Sequence, residues 1–285
     1  MAQAWAWYGA SVTIVEAVDR LVSGEEPLAS DAVREALEQA GVTVELQAKA
    51  VTARREDDDV MLELEDGRSL SGSHLLVAVG RRPLTDKVGL ESIGLEAGGE
   101  LEVDDHMRVG GRPWLYAVGD VNGRSLLTHS GKYQARVAVD CILGEDAVAW
   151  ADRAHSPRVV FTEPSVAAVG LTEQAARDRG LDAAVFDFET SGTAGASFYG
   201  RGSAGTTRFI VDLTREVLVG VTFVGADVQD FVQTATLAVV AEIPVPVLAH
   251  VIAPFPTRSE LWLKFVEAYE KERGRSVHMS AAATH

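Results

Sequence analysis

The sequence is poor in cysteine and lacks a long hydrophobic segment. Its 285 residues include a single cysteine, Cys141, so the chain cannot form an intrachain disulfide. No apolar run approaches the roughly 20 residues that span a bilayer, and we therefore expect no association with a membrane. The start, MAQAWAWYGAS, lacks the basic region and the apolar core of a signal peptide. These absences predict a cytoplasmic protein.

Positive charge is also scarce. The chain has 26 lysines and arginines against 42 aspartates and glutamates, which gives a formal net charge of -16 at pH 7. This excess repels the phosphates of nucleic acids, and no basic cluster with interleaved aromatics offsets it. We therefore expect small molecules or proteins as partners, and no nucleic acid. With 47% hydrophobic residues, the chain is long enough for two or more globular domains.

The first 45 residues alternate between helix and strand patterns. MAQAWAWYG is typical of the end of a helix that stops at Gly9, and a β-branched strand over Ser11–Val15 follows and ends at Glu16. Ser30 and Asp31 are suited to cap a helix that runs to Gly41. A second strand, VTVELQ, comes directly after it. This order predicts a strand–helix–strand unit.

The next segment has the pattern of a small antiparallel meander. KAVTARRE, DVMLELED and SLSGSHLLVAVG are joined by an acidic tip and by the turn at Asp66 and Gly67. The pattern predicts that the last strand, Leu75–Val79, is buried. The stretch GRRP, Gly80–Pro83, interrupts it, and we place a first domain boundary there.

The stretch WLYAVGDVNGRSLLTH contains an isolated carboxylate, Asp120, at the end of an apolar run. One interpretation is a hairpin with DVNG as its turn, which makes Asp120 an ordinary turn residue. The other is a buried parallel strand that ends at Asp120 and faces a ligand hydroxyl. In that case the helix after Thr128 points its positive N-terminus at an electron-poor ring. Local chemistry leaves both open, and the helix is predicted to end near Leu143.

A second boundary is predicted near Ala151, where the pattern changes. Strands GTTRFIVD and EVLVGVTFVG are followed by a helix over about Asp227–Glu242 and, after IPVPVLAHVIAPFPTRSE, by one more helix. The segment Gly200–Gly205 fits G-x-G-x-x-G. A β-rich segment follows it instead of a helix, so we interpret it as a turn between strands and not as a phosphate-binding loop.

Glu16 has a position that suits nucleotide recognition. In a dinucleotide-binding unit, an acidic residue about 20 positions after the glycines ends the second strand and accepts hydrogen bonds from the ribose hydroxyls. Counting back that far from Glu16 passes the first residue of the chain. The alternative is a surface glutamate in a strand-to-loop turn, and spacing alone leaves both open.

Five stretches, in this order, resemble a known family. VTIVEAVDRL, LLVAVGRRPLTD, LYAVGDVNG, VVFTEPSVAAVGLTE and PFPTRSE are similar to motifs of the class I pyridine nucleotide–disulfide oxidoreductases. This family of flavoenzymes includes dihydrolipoamide dehydrogenase, glutathione reductase and mercuric reductase. The resemblance extends from Met1 to about Glu267. Each motif is modest by itself, but the five in family order are highly specific.

The resemblance implies an α/β fold with three parts. We expect a partial NAD(P)-binding, Rossmann-like domain at 1–81, the C-terminal part of an FAD-binding domain at 82–150, and an α+β dimerisation domain at 151–285. In the family, the FAD fingerprint, a redox-active cysteine pair and the NAD glycines precede this region. We therefore expect an N-terminally truncated family member that forms a homodimer.

The resemblance also implies which residues contact the cofactors FAD and NAD. Asp120 matches the aspartate that binds the ribitol of FAD. The residues that match the segment passing the flavin pyrimidine are Leu126, Leu127, Thr128 and His129. The residues that match NAD contacts are Glu16, Val51 and Gly80. No metal site is expected.

The sequence departs from the family pattern at the catalytic position. The family's disulfide reductases carry a histidine there, supplied across the dimer and oriented by a glutamate. Phe255 replaces that histidine, whereas Glu260 remains, and Leu84 replaces a common asparagine. Cys141 has no partner cysteine and is expected to be a core residue, so we expect no catalytic residue in this chain.

The implied activity is transfer of a hydride from NADH to FAD and then to an unknown small-molecule acceptor. One alternative is a flavin-dependent quinone reductase. The other is a catalytically inert, truncated dimerisation module.

Overall fold

The computed structural model describes residues 1–153, 155–199 and 204–274. Its helices are α1 Ala2–Trp7, α2 Pro27–Gln39, α3 Thr128–Ile142, α4 Glu173–Asp178, α5 Val232–Val240, α6 Val245–Leu248 and α7 Glu260–Glu272. Its strands are β1 Thr13–Val15, β2 Thr43–Glu45, β3 Ala50–Glu56, β4 Asp59–Leu64, β5 Ser69–Gly72, β6 Arg158–Val160, β7 Ser165–Gly170, β8 Ala183–Glu189, β9 Thr206–Asp212 and β10 Val217–Gly225. No helix among these described residues is long and apolar enough to cross a membrane.

The chain forms two compact units. The first combines Met1–Leu75 with the described part of Pro157–His285, and the second is Leu76–Ser156. The mixed helix and strand content confirms the predicted α/β fold class. The division into domains at 1–81, 82–150 and 151–285 stays a prediction.

The first unit begins with the predicted strand–helix–strand arrangement. β1 and β2 pair in parallel, with Thr13 opposite Thr43, and α2 connects them. The helix begins at Pro27 and not at Asp31, so the predicted cap was wrong. Proline suits the first helical position because its fixed φ is helical and it has no N–H to satisfy there. The hydroxyl of Ser30 instead donates to the carbonyl of Leu21.

The predicted meander is present, but its last strand is not. β3, β4 and β5 form an antiparallel sheet as expected. Residues 75–79 have no strand structure, and the exposed fraction reaches 90% at Val79. An apolar run of this kind forms a buried strand only between neighbouring strands. No described strand pairs with it, so the predicted burial was wrong.

The largest core lies on a five-stranded antiparallel sheet in the order β6–β7–β10–β9–β8. α5 and α7 cover one face, where the rings of Phe209 and Phe265 stack with centroids 4.4 Å apart. On the opposite face, Val166 and Val224 pack against residues of α2 and its neighbours. The two predicted strands are confirmed as β9 and β10, and α5 is shorter than predicted. Residues 200–203 of the Gly-rich segment lie outside the described residues.

Arg208 holds an ionic cluster within the first unit. Its guanidinium lies 2.7 Å from Asp187, 2.9 Å from Glu173 and 3.1 Å from Glu26. Glu26 is almost fully buried at the N-cap of α2, where it also accepts a hydrogen bond from the backbone N–H of Glu173. The hydrogen bond to Asp187 and the surrounding carboxylates raise the pKa of Arg208 above its ordinary value. Arg208 is therefore positively charged over the whole physiological pH range.

The second unit has little regular structure apart from α3. Its core contains Met107, Val137 and Cys141, which confirms the prediction that Cys141 is a core residue. Residues 114–118 form no strand, and Tyr116 makes only an isolated bridge to Arg108. Both interpretations of this stretch were wrong in their strands: the hairpin lacks its two strands, since neither 114–118 nor 124–127 is a strand, and no buried parallel strand ends at Asp120. The chain instead passes through the 3-10 turn Gly119–Asn122 into a helix. That helix, α3, confirms the predicted helix after Thr128.

Candidate cofactor-binding site

Asp120 lies in a tight turn that packs against the beginning of α3. The 3-10 turn spans Gly119–Asn122, and Gly119 has a left-handed backbone with φ of 77°. A Cβ atom on Gly131 would lie 3.3 Å from the Cα of Gly119. Glycine at position 131 allows the close approach of turn and helix, and glycine at position 119 allows the left-handed backbone. The turn that carries Asp120 therefore lies against the N-terminal part of α3.

The Asp120 carboxylate is accessible and forms an ion pair with Arg81. The Asp120 side chain is 43% exposed, and that of Arg81, which belongs to the GRRP stretch, is 64% exposed. Ion pairs this exposed contribute about 0–1 kcal/mol. A ligand hydroxyl can therefore replace the guanidinium at small cost. Sequence reasoning missed Arg81 as the partner of Asp120, although its charge was a usable signal.

The N-terminus of α3 is open. Leu127 is its N-cap residue, makes no side-chain capping hydrogen bond, and is followed by no acidic residue in the first turn. Leu126, Thr128 and His129 are exposed. Uncapped first-turn N–H groups give a helix end a partial positive charge that favours an anionic or electron-rich group. Exposed leucines beside it offer an apolar surface.

A buried polar network lies behind the Asp120 turn. Oε1 of Gln134 accepts hydrogen bonds from the N–H of Gly119 at 2.6 Å and from Nδ2 of Asn122 at 2.9 Å. Nε2 of Gln134 donates to Asp152 at 2.8 Å, and Asp152 also pairs with Arg124 at 3.4 Å. Sequence reasoning missed this network. Its signal was a glutamine within the buried stripe of α3.

Glu16 lies at the end of β1, as predicted, and is half-buried. One of its carboxylate oxygens accepts a hydrogen bond from the N–H of Val18 at 3.1 Å. The nearby guanidinium of Arg20 is directed elsewhere, to the backbone carbonyls of Ser23 and Glu25 and to the hydroxyl of Ser30. The end of β1 therefore presents a carboxylate.

The other two predicted NAD contacts lie in different units. Val51 is an exposed residue of β3 in the first unit. Gly80 belongs to the second unit and has φ of 119°, a conformation that favours glycine. Each is accessible to a ligand.

Phe255 and Glu260 lie in the first unit at the start of α7. Phe255 is 78% exposed and precedes a cis proline. Glu260 is the first residue of α7, and its carboxylate accepts hydrogen bonds from the N–H groups of Thr257 at 3.0 Å and Gly195 at 3.3 Å. This carboxylate thus fixes two backbone segments. A phenyl ring at position 255 can neither donate nor accept a proton.

The described residues contain no candidate metal centre. Within 1–153, 155–199 and 204–274, no group of three or more His, Cys, Asp or Glu side chains is arranged to hold a metal ion.

Comparison with known proteins assigns both parts of the chain to one family. The family described as pyridine nucleotide-disulphide oxidoreductase matches residues 1–140, and its dimerisation domain matches residues 156–265. A dihydrolipoyl dehydrogenase of Geobacillus stearothermophilus is 32% identical over 283 residues, which are 97% of this chain and 58% of that protein. The chain thus spans little more than half the length of this relative.

Solved structures with a similar fold lead to the same family. The crystal structure of LpdA from Mycobacterium tuberculosis has a TM-score of 0.85 and 26% identity, covering 94% of this chain and 58% of that one. RclA of Escherichia coli, described as an HOCl-induced flavoprotein disulfide reductase, has a TM-score of 0.80 and 26% identity, covering 92% and 60%. Both family regions, the relatives and the shared fold lead to one conclusion: the chain belongs to the pyridine nucleotide-disulphide oxidoreductase family.

Proposed function

We propose that this chain forms part of an FAD-dependent NADH oxidoreductase and supplies the ribitol-binding and pyrimidine-facing side of its flavin site. The observation that carries the proposal is the accessible Asp120 carboxylate, whose turn a close contact between Gly119 and Gly131 holds against the first turn of α3, which has no side-chain cap. A carboxylate accepts hydrogen bonds from the hydroxyls of a polyol chain. FAD, when bound, would accept a hydride from NADH and pass the electrons to the acceptor.

The residues at this site fit the flavin. The exposed side chains of Leu126 and Leu127 suit the apolar face of a ring. The first-turn N–H groups from Thr128 and His129 suit an oxygen or nitrogen at the ring edge that gains negative charge on reduction. Asp120 would exchange Arg81 for ribitol hydroxyls. These residues bind and orient the cofactor, and the chain's single thiol, Cys141, is buried elsewhere in the core.

Glu16 supports NADH as the hydride donor. Its carboxylate can accept hydrogen bonds from the ribose hydroxyls, and it would repel the 2′-phosphate of NADPH. Arg20, which could otherwise meet a phosphate, is bound to backbone carbonyls. Val51 and Gly80 are proposed as further contacts of the nucleotide.

Phe255 favours a small acceptor such as a quinone over a disulfide. Reduction of a disulfide requires a proton donor for the leaving thiol, and a histidine near neutral pKa is suited to that task. Phe255 cannot serve, and the carboxylate of Glu260 is occupied by backbone N–H groups. A quinone takes up two electrons from the reduced flavin and two protons, which solvent can supply, and it has no leaving thiol that must be protonated at this position.

We further propose that the chain acts as a homodimer. The matched dimerisation region carries exposed apolar side chains at Leu237, Val247, Ile252 and Leu263. Exposed apolar surface of this kind is typical of subunit interfaces. The alternative is that the chain is a catalytically inert dimerisation module. The assay of NADH oxidation described next distinguishes this alternative from the proposed oxidoreductase.

The test compares NADH oxidation with lipoamide, glutathione disulfide and a quinone side by side. Two proteins are used: the 285-residue chain with added FAD, and a chimera that joins it to the part of the Geobacillus stearothermophilus relative that it does not match. We expect the chimera to reduce the quinone and to turn over both disulfides poorly. No oxidation of NADH by either protein would support the inert module. Efficient turnover of lipoamide would contradict the role of Phe255.

A further inference from the structure

The polar network behind the Asp120 turn points to a role beyond packing. We propose that Gln134 and Asp152 are positioning residues that set the orientation in which Asp120 meets the flavin ribitol. This inference rests on the proposed function, because it deepens the assignment of Asp120. Neither residue touches the cofactor, and both act through the backbone of the turn.

Gln134 holds the turn on both sides of Asp120. Its side chain is fully buried, and one oxygen, Oε1, accepts from the N–H of Gly119 and from the amide of Asn122. Gly119 immediately precedes Asp120, and Asn122 closes the same turn. A single acceptor therefore fixes the backbone at the residue before Asp120 and at the end of the turn. The direction of the Asp120 side chain follows from that backbone.

Asp152 determines which way the Gln134 amide faces. A carboxylate only accepts hydrogen bonds, so it must meet the amide nitrogen, at 2.8 Å. The amide oxygen is then turned toward Gly119. The opposite orientation would place donors against the donors of Gly119 and Asn122. Asp152 is itself 1% exposed and is neutralised by the buried guanidinium of Arg124.

Burying the charges of Asp152 and Arg124 costs desolvation free energy, which their mutual attraction only partly offsets. Replacing such a pair by apolar residues is often neutral or stabilising, so its presence favours a role in specifying one arrangement. Misplacing a binding group by a small distance weakens the contacts it was built to make. The network therefore serves the geometry of Asp120 more than the stability of the unit.

The first test is a double-mutant cycle on FAD affinity. Dissociation constants for FAD are measured by quenching of flavin fluorescence in the chimera, which carries either the unsubstituted chain, Gln134→Leu, Asp120→Ala or the double variant. Loss of one buried acceptor is expected to raise the dissociation constant about tenfold in Gln134→Leu. In the Asp120→Ala background the same change should have less than about a twofold effect, since Gln134 acts through Asp120. Equal effects in both backgrounds would overturn the inference.

A rescue by exchange of roles provides the second test. In Gln134→Glu/Asp152→Asn, the new carboxylate still accepts from Gly119, and the new amide still joins it to Arg124. We expect FAD affinity within about threefold of the unsubstituted protein, because the carboxylate at position 134 still accepts from Gly119 and Asn122. The hydrogen bond between positions 134 and 152 is reversed, since the new amide at 152 donates to that carboxylate, but both groups keep a partner. This variant keeps the proposal testable if Gln134→Leu folds poorly. An affinity as low as that of Asp120→Ala would count against the positioning role.

Hydrogen exchange separates this inference from the proposed function. Exchange of the Gly119 amide is followed by NMR in the chain without any cofactor. We expect it to be at least tenfold faster in Gln134→Leu and unchanged in the role-exchange variant. If Asp120→Ala leaves the dissociation constant of the chimera for FAD unchanged, the flavin assignment of Asp120 fails. The positioning of the turn is then decided by exchange alone, and an unaltered Gly119 rate in Gln134→Leu would refute it.

Discussion

Replacing Arg208 by methionine should destabilise the first unit strongly, because it leaves the buried carboxylate of Glu26 without its cation. The Glu26 side chain is 1% exposed and that of Arg208 is 17% exposed, so water offers little compensation. Breaking a buried pair from one side typically costs about 3–5 kcal/mol. Glu26 keeps its hydrogen bond from the N–H of Glu173, at 2.6 Å. We therefore expect about 3 kcal/mol, at the lower end of that range.

The assay is calorimetric unfolding, which reports each transition directly. At about 2–4 °C per kcal/mol for a unit of this size, the transition of the first unit should fall by about 6–12 °C. Adding Glu26→Gln to Arg208→Met should recover at least half of the loss, since no charge then remains buried. The matched control is Arg215→Met in the turn between β9 and β10.

Arg215 pairs with Glu242 at 2.5 Å, but both side chains are about half exposed. Its replacement should cost less than about 1 kcal/mol. A loss in Arg208→Met no larger than in Arg215→Met, or no recovery on adding Glu26→Gln, would refute the reasoning.

Three further predictions concern function. Glu16→Arg should shift the preference of the chimera from NADH toward NADPH by exchanging repulsion of the 2′-phosphate for attraction; a higher kcat/KM with NADPH before substitution would contradict the assignment of Glu16. Phe255→His should raise lipoamide turnover by the chimera at least tenfold while leaving quinone turnover nearly constant, because only the disulfide reaction has a leaving thiol that needs a positioned proton donor; equal changes in the turnover of both acceptors would contradict this role of position 255. Sedimentation equilibrium at micromolar concentration should report a dimer that Leu263→Asp dissociates; a clean monomer before substitution would exclude the homodimer.

Much of the local structure could be predicted because it depends on short-range patterns. The helix from Thr128 to Ile142 follows from its apolar stripe, and the meander follows from alternation and from the Asp66–Gly67 turn. Leu75–Val79 shows where this reasoning fails. An apolar run favours burial, but it does not show which neighbouring strand would cover it, and no described strand covers this one.

The residues of the candidate site also fall into those that the sequence identified and those that it did not. Asp120 and the segment after it were identified through a family motif, whereas Gln134 and Asp152 were not. Their hydrogen bond joins residues 18 positions apart in sequence. A polar residue on a buried helix face indicates that a partner exists, but only the folded chain shows which residue it is.

The two-sided burial of the five-stranded sheet has a practical consequence for protein engineering. Val166 and Val224 face α2 and its neighbours, so the predicted dimerisation region shares its back face with the first 45 residues of the chain. A fragment cut near the boundary at Ala151 would carry that face into solution uncovered. It should bind a hydrophobic dye and precipitate on concentration, and replacing the valines by threonine would be the first step toward a soluble, separately expressed module.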